Sequence, residues 1–177
     1  MLGAGDGAWS KIWSVADYEP DPVNRAVTGV GALASFGGNL YWGTMHHPLL
    51  STAANWGTSS SFYDEVQLAG RSISRFLIAA ILGNHRATTF WMAENVGSSP
   101  DISLLYGLPE LPVFTPGPLP PPPNRPIASD YWTITPTGWT SEWGSSGFGR
   151  PFNNYTCSAT VNNGRLWVGT MDWIYLL

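Results

Sequence analysis

Cysteine is nearly missing from this chain: Cys157 stands alone among 177 residues. A single thiol closes no intrachain disulfide, and it excludes a structural zinc site built on several thiolates. Charge is scarce as well, at 11% of residues, under half the usual share. Lys11 is the only lysine, and the basic residues do not cluster. With a net charge of −4 there is no electrostatic footprint for a nucleic-acid backbone, so no nucleic-acid partner is expected. Long apolar runs are absent. The longest, Phe76 to Leu82, falls far short of the ~20 residues that span a bilayer, so no transmembrane segment is expected.

What the chain does have is apolar and turn-forming. Hydrophobic residues make up 44%, enough for a globular core, so low charge here does not mean disorder. Gly (20), Pro (15) and Trp (10) favour turns and aromatic packing over long helices. The length suits one domain, taken as residues 1–177, better than two.

One internal repeat stands out. Gly38-Asn39-Leu40-Tyr41-Trp42-Gly43-Thr44-Met45 matches Gly164-Arg165-Leu166-Trp167-Val168-Gly169-Thr170-Met171 at five of eight positions, 126 residues on (164 − 38). An aromatic ring is kept at Tyr41 and Trp167. Each copy follows a strand-length segment and a turn signal, Gly37-Gly38 in one and Asn163-Gly164 in the other. Asn-Gly is a strong hairpin signal because both residues accept positive φ. Side chains alternate faces, so Leu40, Trp42 and Thr44 share one face and Tyr41, Gly43 and Met45 the other. Both faces carry apolar groups, which predicts strands buried between neighbouring sheets. The same pattern makes Cys157 a buried structural thiol. Glycine before threonine predicts close backbone approach.

Between the copies lies an insertion. Ser51 to Ser61 reads as loop. Residues 64–82 have helical spacing, with Gly83-Asn84 as the stop. Residues 87–94 read as a strand, and Ile102 to Tyr106 as another. Residues 108–126 hold most of the prolines and are expected to be extended or irregular. Residues 7–15 read as an outer strand. The expected fold is therefore mainly β, a partial or fragmentary β-propeller of antiparallel blades. Its strands lie at about 7–15, 32–45, 87–94 and 157–171, with one inserted helix and a Pro-rich irregular segment. An open propeller exposes strand edges, so a fragment of a longer chain, or a subunit completed by a partner, is expected.

These strand ends carry a resemblance. Leu40-Tyr41-Trp42-Gly43-Thr44 and Leu166-Trp167-Val168-Gly169-Thr170 resemble bacterial propeller repeats, Kelch-like in broad architecture, that end a strand in Leu-Tyr-Val-Gly-Thr. Ser146 to Thr156 is similar to their lead-in, and Arg86 to Trp91 to their outer strand, although Met92 stands where a basic residue is usual. The resemblance covers about half the chain. It implies a fold and carries over no catalytic residue.

Chemistry-bearing patterns are sparse. His46 and His47, with Asp172 aligned near them in the second copy, are candidate metal ligands, but adjacent histidines on a strand point to opposite faces. No cofactor is expected. No spacing singles out a carboxylate pair for glycoside hydrolysis, and the nucleophile-elbow motif is absent. Trp56, Trp139 and Trp143 lie among polar residues and are the candidates for exposed ligand or partner contacts, suited to a protein interface or to stacking on a sugar ring. The expectation is a non-enzymatic binding or scaffold module, an accessory subunit that attaches to a protein partner or larger assembly. The alternative is an extracellular carbohydrate-binding or glycan-active propeller. Low charge and Thr/Asn/Trp-rich strands lean toward an extracytoplasmic bacterial protein.

Overall fold

Turn chemistry sets the framework. The computed structural model describes residues 11–58, 80–97, 99–115 and 132–172. Strands β1 (Thr28–Phe36) and β2 (Asn39–His46) form one hairpin; β7 (Asn153–Asn162) and β8 (Arg165–Asp172) form another. Gly37 and Gly38 both have positive φ, as do Asn163 and Gly164. That places both two-residue turns in the mirror-image class whose twist suits a hairpin.

The repeat is structural as well as sequential. In the first ribbon Phe36 pairs Asn39, Leu33 pairs Trp42 and Ala32 pairs Gly43. In the second, Asn162 pairs Arg165, Ala159 pairs Val168 and Ser158 pairs Gly169. Each pair is the other moved by 126 (162 − 36). The bulge falls at the same place too, at Gly31 in β1 and at Cys157 in β7. The second ribbon has one further bulge at Asn154.

Two more strands complete the larger sheet. Strand β3 (Phe90–Glu94) pairs β2, and β4 (Asp101–Tyr106) pairs β3. The order is β4-β3-β2-β7-β8, with β1 also on β2. Strands β5 (Glu110–Phe114) and β6 (Trp132–Pro136) make a separate antiparallel pair. Among the described residues both sheets are antiparallel and neither closes on itself, and the fold is mainly β. The ribbons meet where one has no side chains. A Cβ on Gly43 would run into the Thr156 side chain, and one on Gly31 into the Thr156 carbonyl. These two glycines make the gap that β7 occupies.

The core is aromatic. Trp91 is fully buried, stacked parallel to Trp42 at 6.3 Å and flanked by Trp13 at 5.1 Å, Tyr18 at 5.4 Å and Trp139 at 4.9 Å. Its indole N–H donates to Thr89 Oγ1 at 2.7 Å. Leu104, Leu111 and Ala93 fill the remainder. Edge-on and stacked rings of this kind add about 0.5–1.5 kcal/mol per pair beyond area burial.

Four expectations are corrected. Residues 11–15 form no strand; Val15–Asp17 is a short 3-10 turn, and residues 7–10 lie outside the described residues. The Ser/Thr/Ala stretch from Ser51 is helical within α2 (Pro48–Thr58), because Pro48 starts the first turn; the Ser51 and Thr52 hydroxyls are satisfied by its carbonyl at 3.0 and 2.8 Å. The second ribbon is not buried between sheets: no residue of β8 is buried, half of them are exposed, and the distal half of β7 faces solvent, since no sheet packs on them among the described residues. Cys157 is consequently exposed. The helix expected at 64–82 lies largely outside the described residues, of which 80–84 are helical. The Pro-rich segment at 108–126 contains β5, and residues 116–126 lie outside the described residues.

Candidate functional site

Helix α1 (Pro22–Ala26) begins at a polar junction below the aromatic core. Asp21 caps it, accepting from Val23 N and Asn24 N at 2.9 Å, while its second oxygen accepts from Phe114 N at 2.9 Å. Glu19, just before, meets Arg86 in a two-point ion pair: Nε to Oε2 at 2.6 Å and Nη2 to Oε1 at 3.1 Å. Arg86 also donates to the carbonyls of Gly83, His85 and Pro112. Every guanidinium nitrogen thus donates to an oxygen, as a buried charge requires.

His46 closes the junction from the end of β2. It is buried, with Nε2 donating to the Asn84 carbonyl at 2.8 Å and Nδ1 at 2.8 Å from Thr28 Oγ1. The carbonyl only accepts, which places the proton of the neutral ring on Nε2. Burial first, then the Arg86 charge, push the imidazole down to about 3. His85 is lowered as well, mainly by burial; its Nε2 is bonded to the Pro151 carbonyl and its ring lies edge-on to Phe152. Thr44, Thr88, Thr89 and Thr156 form a buried hydroxyl cluster beside this junction.

A cavity of about 350 Å³ opens between these groups and the core, with Trp13, Tyr18, Leu111, His46, Arg86 and Ser146 among its walls. Its ionisable groups already have partners. Ser51 Oγ lies 3.4 Å from His46 Nε2, but that hydroxyl donates to the Pro48 carbonyl at 3.0 Å and the ring nitrogen to Asn84. A serine activated by histidine needs that nitrogen free to take a proton, and here it carries one. The cavity therefore has the bonding of a structural junction.

The sequence candidates fall in different places. Trp139 is partly buried and packs against the core on Trp91, with Nε1 donating to the Asp17 carbonyl at 2.8 Å. Trp143 is 57% exposed, edge-on to Tyr106 at 5.9 Å. Trp56 lies in α2, and its side chain is outside the described residues. His46 and His47 diverge: His46 turns inward to Asn84, while His47 Nδ1 accepts from Leu50 N at the start of α2. Asp172 pairs with Arg150 at 3.5 Å. Among the described residues no group of His, Cys, Asp and Glu is gathered to hold a metal.

Sequence reasoning missed two features. The Glu19–Arg86 pair joins residues with no shared motif, and nothing in their spacing signals it. The other is the free second ribbon. There Trp167 is 54% exposed, and Val161 and Met171 also face solvent. The repeat itself was the available signal, because it aligns Trp167 with Tyr41. None of the described helices is long and apolar enough to cross a membrane. Comparison of the chain with protein-family models, with curated proteins and with solved structures gives no match.

Proposed function

We propose that this chain is a non-enzymatic binding or scaffold module that attaches to a protein partner through its second ribbon, as an accessory part of a larger assembly. The observation that carries this reading is the exposure of Trp167, Val161 and Met171 on a ribbon standing clear of the core. Exposed aromatic and Met side chains are the residue types that dominate protein interfaces. The engaged state of every ionisable group in the cavity supports it from the other side. The two ribbons are then read as blade-like repeats, Kelch-like in broad architecture, and their common register supports that reading.

The test is affinity capture by the full chain from cells that produce it, run beside a Trp167→Ser, Met171→Ser variant checked for unchanged circular dichroism. A partner held by the parent chain and lost by the variant is expected. Identical captures by both would overturn the reading. The carbohydrate alternative rests first on Trp143, which is more exposed than the partly buried Trp139. A glycan array on which a ligand is bound by the parent chain and lost by Trp143→Ala would favour it.

A further inference from the structure

The two ribbons match pair for pair, yet only the first is flanked. Strand β1 takes one edge of β2, and β3 takes the other: Leu40 pairs Ala93, Tyr41 pairs Met92, Trp42 pairs Trp91 and Gly43 pairs Phe90. The positions 126 residues on are Leu166, Trp167, Val168 and Gly169. Strand β7 takes one edge of these, and among the described residues no strand takes the other. The outer edge of β4 differs again, since residues 142–144 run along it, with Glu142 N and Trp143 N donating to Leu104 and Leu105 carbonyls at 2.9 Å.

Side-chain detail says what the flanking strand contributes. Phe90 stands opposite Gly43, and its ring stacks on Tyr41, two positions along on the same face, at 6.2 Å and 22°. Diagonal neighbours on one face of a sheet lie within aromatic reach. The space at Gly43 itself is taken by the Thr156 side chain, so it is the aromatic at Tyr41 that supplies the surface on which the ring lies. The second ribbon keeps both the glycine and the aromatic, Gly169 with the Ser158 hydroxyl over it for Gly43 with Thr156, and Trp167 for Tyr41. Its indole is 54% exposed, and the stretch Leu166 to Gly169 carries no charge. Charge is the usual protection of an exposed edge strand, and here it is missing.

We propose that the outer edge of β8 binds an extended segment of a partner protein as an added antiparallel strand, with an aromatic side chain opposite Gly169 and over Trp167. The segment is apolar and aromatic-rich, in the pattern of Phe90-Trp91-Met92-Ala93. Main-chain hydrogen bonds along Leu166–Gly169 hold it, and the aromatic contact sets its register. The proposal rests on the binding-module reading and gives its mode and its partner's chemistry.

The probe is a synthetic peptide copying residues 88–95 with added terminal lysines, titrated into the full-length isotope-labelled chain and followed by amide NMR. Expected are shifts at Leu166–Gly169 and the Trp167 indole, at least tenfold weaker binding on Trp167→Ala or on replacing the peptide's Phe by Ala, and loss of binding when its β8-facing amides are N-methylated. Binding that survives N-methylation, shifts confined to Leu40–Gly43, or no binding would overturn strand addition. A dimer of the chain alone, removed by Trp167→Ala in sedimentation, would overturn the choice of a foreign partner and make a second copy the occupant. If partner capture stays Trp167-dependent while the peptide fails, the binding reading stands and only the strand mode falls. If capture is independent of Trp167 as well, both fall.

Discussion

Glu19 and Arg86, 67 positions apart in sequence, meet side by side with both side chains almost fully buried. The pair ties the segment before α1 to the segment before β3, and through Pro112 to β5. Arg86→Met alone should destabilise the fold by about 3–5 kcal/mol, because it strands a buried carboxylate. Adding Glu19→Leu should restore much of that loss, though the three carbonyls that Arg86 serves stay unpaired. Urea unfolding of the parent, single and double variants measures this; a double variant no better than the single would refute it.

His46 makes stability depend on pH in a definite direction. Its folded value, about 3, lies below its ordinary 6.5. Above pH 6.5 the ring is neutral folded or unfolded, and it contributes no slope. Below 6.5 the unfolded chain binds the extra proton, so stability falls as pH drops from 6.5 toward 3. One group gives at most about 1.4 kcal/mol per pH unit. His85, lowered in the same sense, adds to this decline. Urea midpoints across that window should flatten by up to one proton's worth in His46→Gln, and an unchanged slope would show that the ring is not buried neutral.

Gly43 and Gly29 should respond oppositely to alanine. A Cβ at Gly43 meets the Thr156 side chain, whereas at Gly29 nothing lies within 4 Å. Gly43→Ala is expected to cost about 1–3 kcal/mol as the crossing ribbons are pushed apart. Gly29→Ala should be neutral within about 0.5 kcal/mol. Thermal unfolding of the two variants decides it, and equal shifts would mean that β7 does not seat on Gly43.

Cys157 occupies the bulge of the second ribbon and faces solvent. A thiol-disulfide reagent should titrate one equivalent per chain rapidly without denaturant, matching the single cysteine of the chain. A thiol that reacts only in denaturant would place that ribbon against another surface.

Trp139 and Trp143 separate framework from surface. Trp139→Ala removes a ring packed edge-on to Trp91 and should cost about 3–5 kcal/mol. Trp143→Ala, at a mostly exposed site, should cost under about 1 kcal/mol. Denaturant titration checks both.

Several elements were legible from residues alone because their causes are local. Gly37-Gly38 and Asn163-Gly164 bend the chain through positive φ, and two-residue turns fix the pairing that follows. The five shared positions of the repeat therefore marked two true ribbons with one register. The glycine before threonine also signalled close approach, which Gly43 makes to Thr156. Helix α2 was not legible, because Ser51, Thr52 and Asn55 have modest helix propensity and are buried by elements distant in sequence, with Asn55 donating to the Asn84 side chain.

Sequence by itself determined the hairpins, their alternation and their likeness, since these follow from backbone preferences over a few residues. Only the tertiary structure decided which ribbon is buried and which is free. Burial depends on what packs alongside: β3 lies along Leu40–Gly43, whereas Leu166–Gly169 has no such neighbour among the described residues. The same holds for Trp139, which reads as a surface residue among polar neighbours and is partly buried against the core because Trp91 is brought to it. Identical local codes end in different surroundings because the hydrophobic effect acts on the assembled surface rather than on a segment.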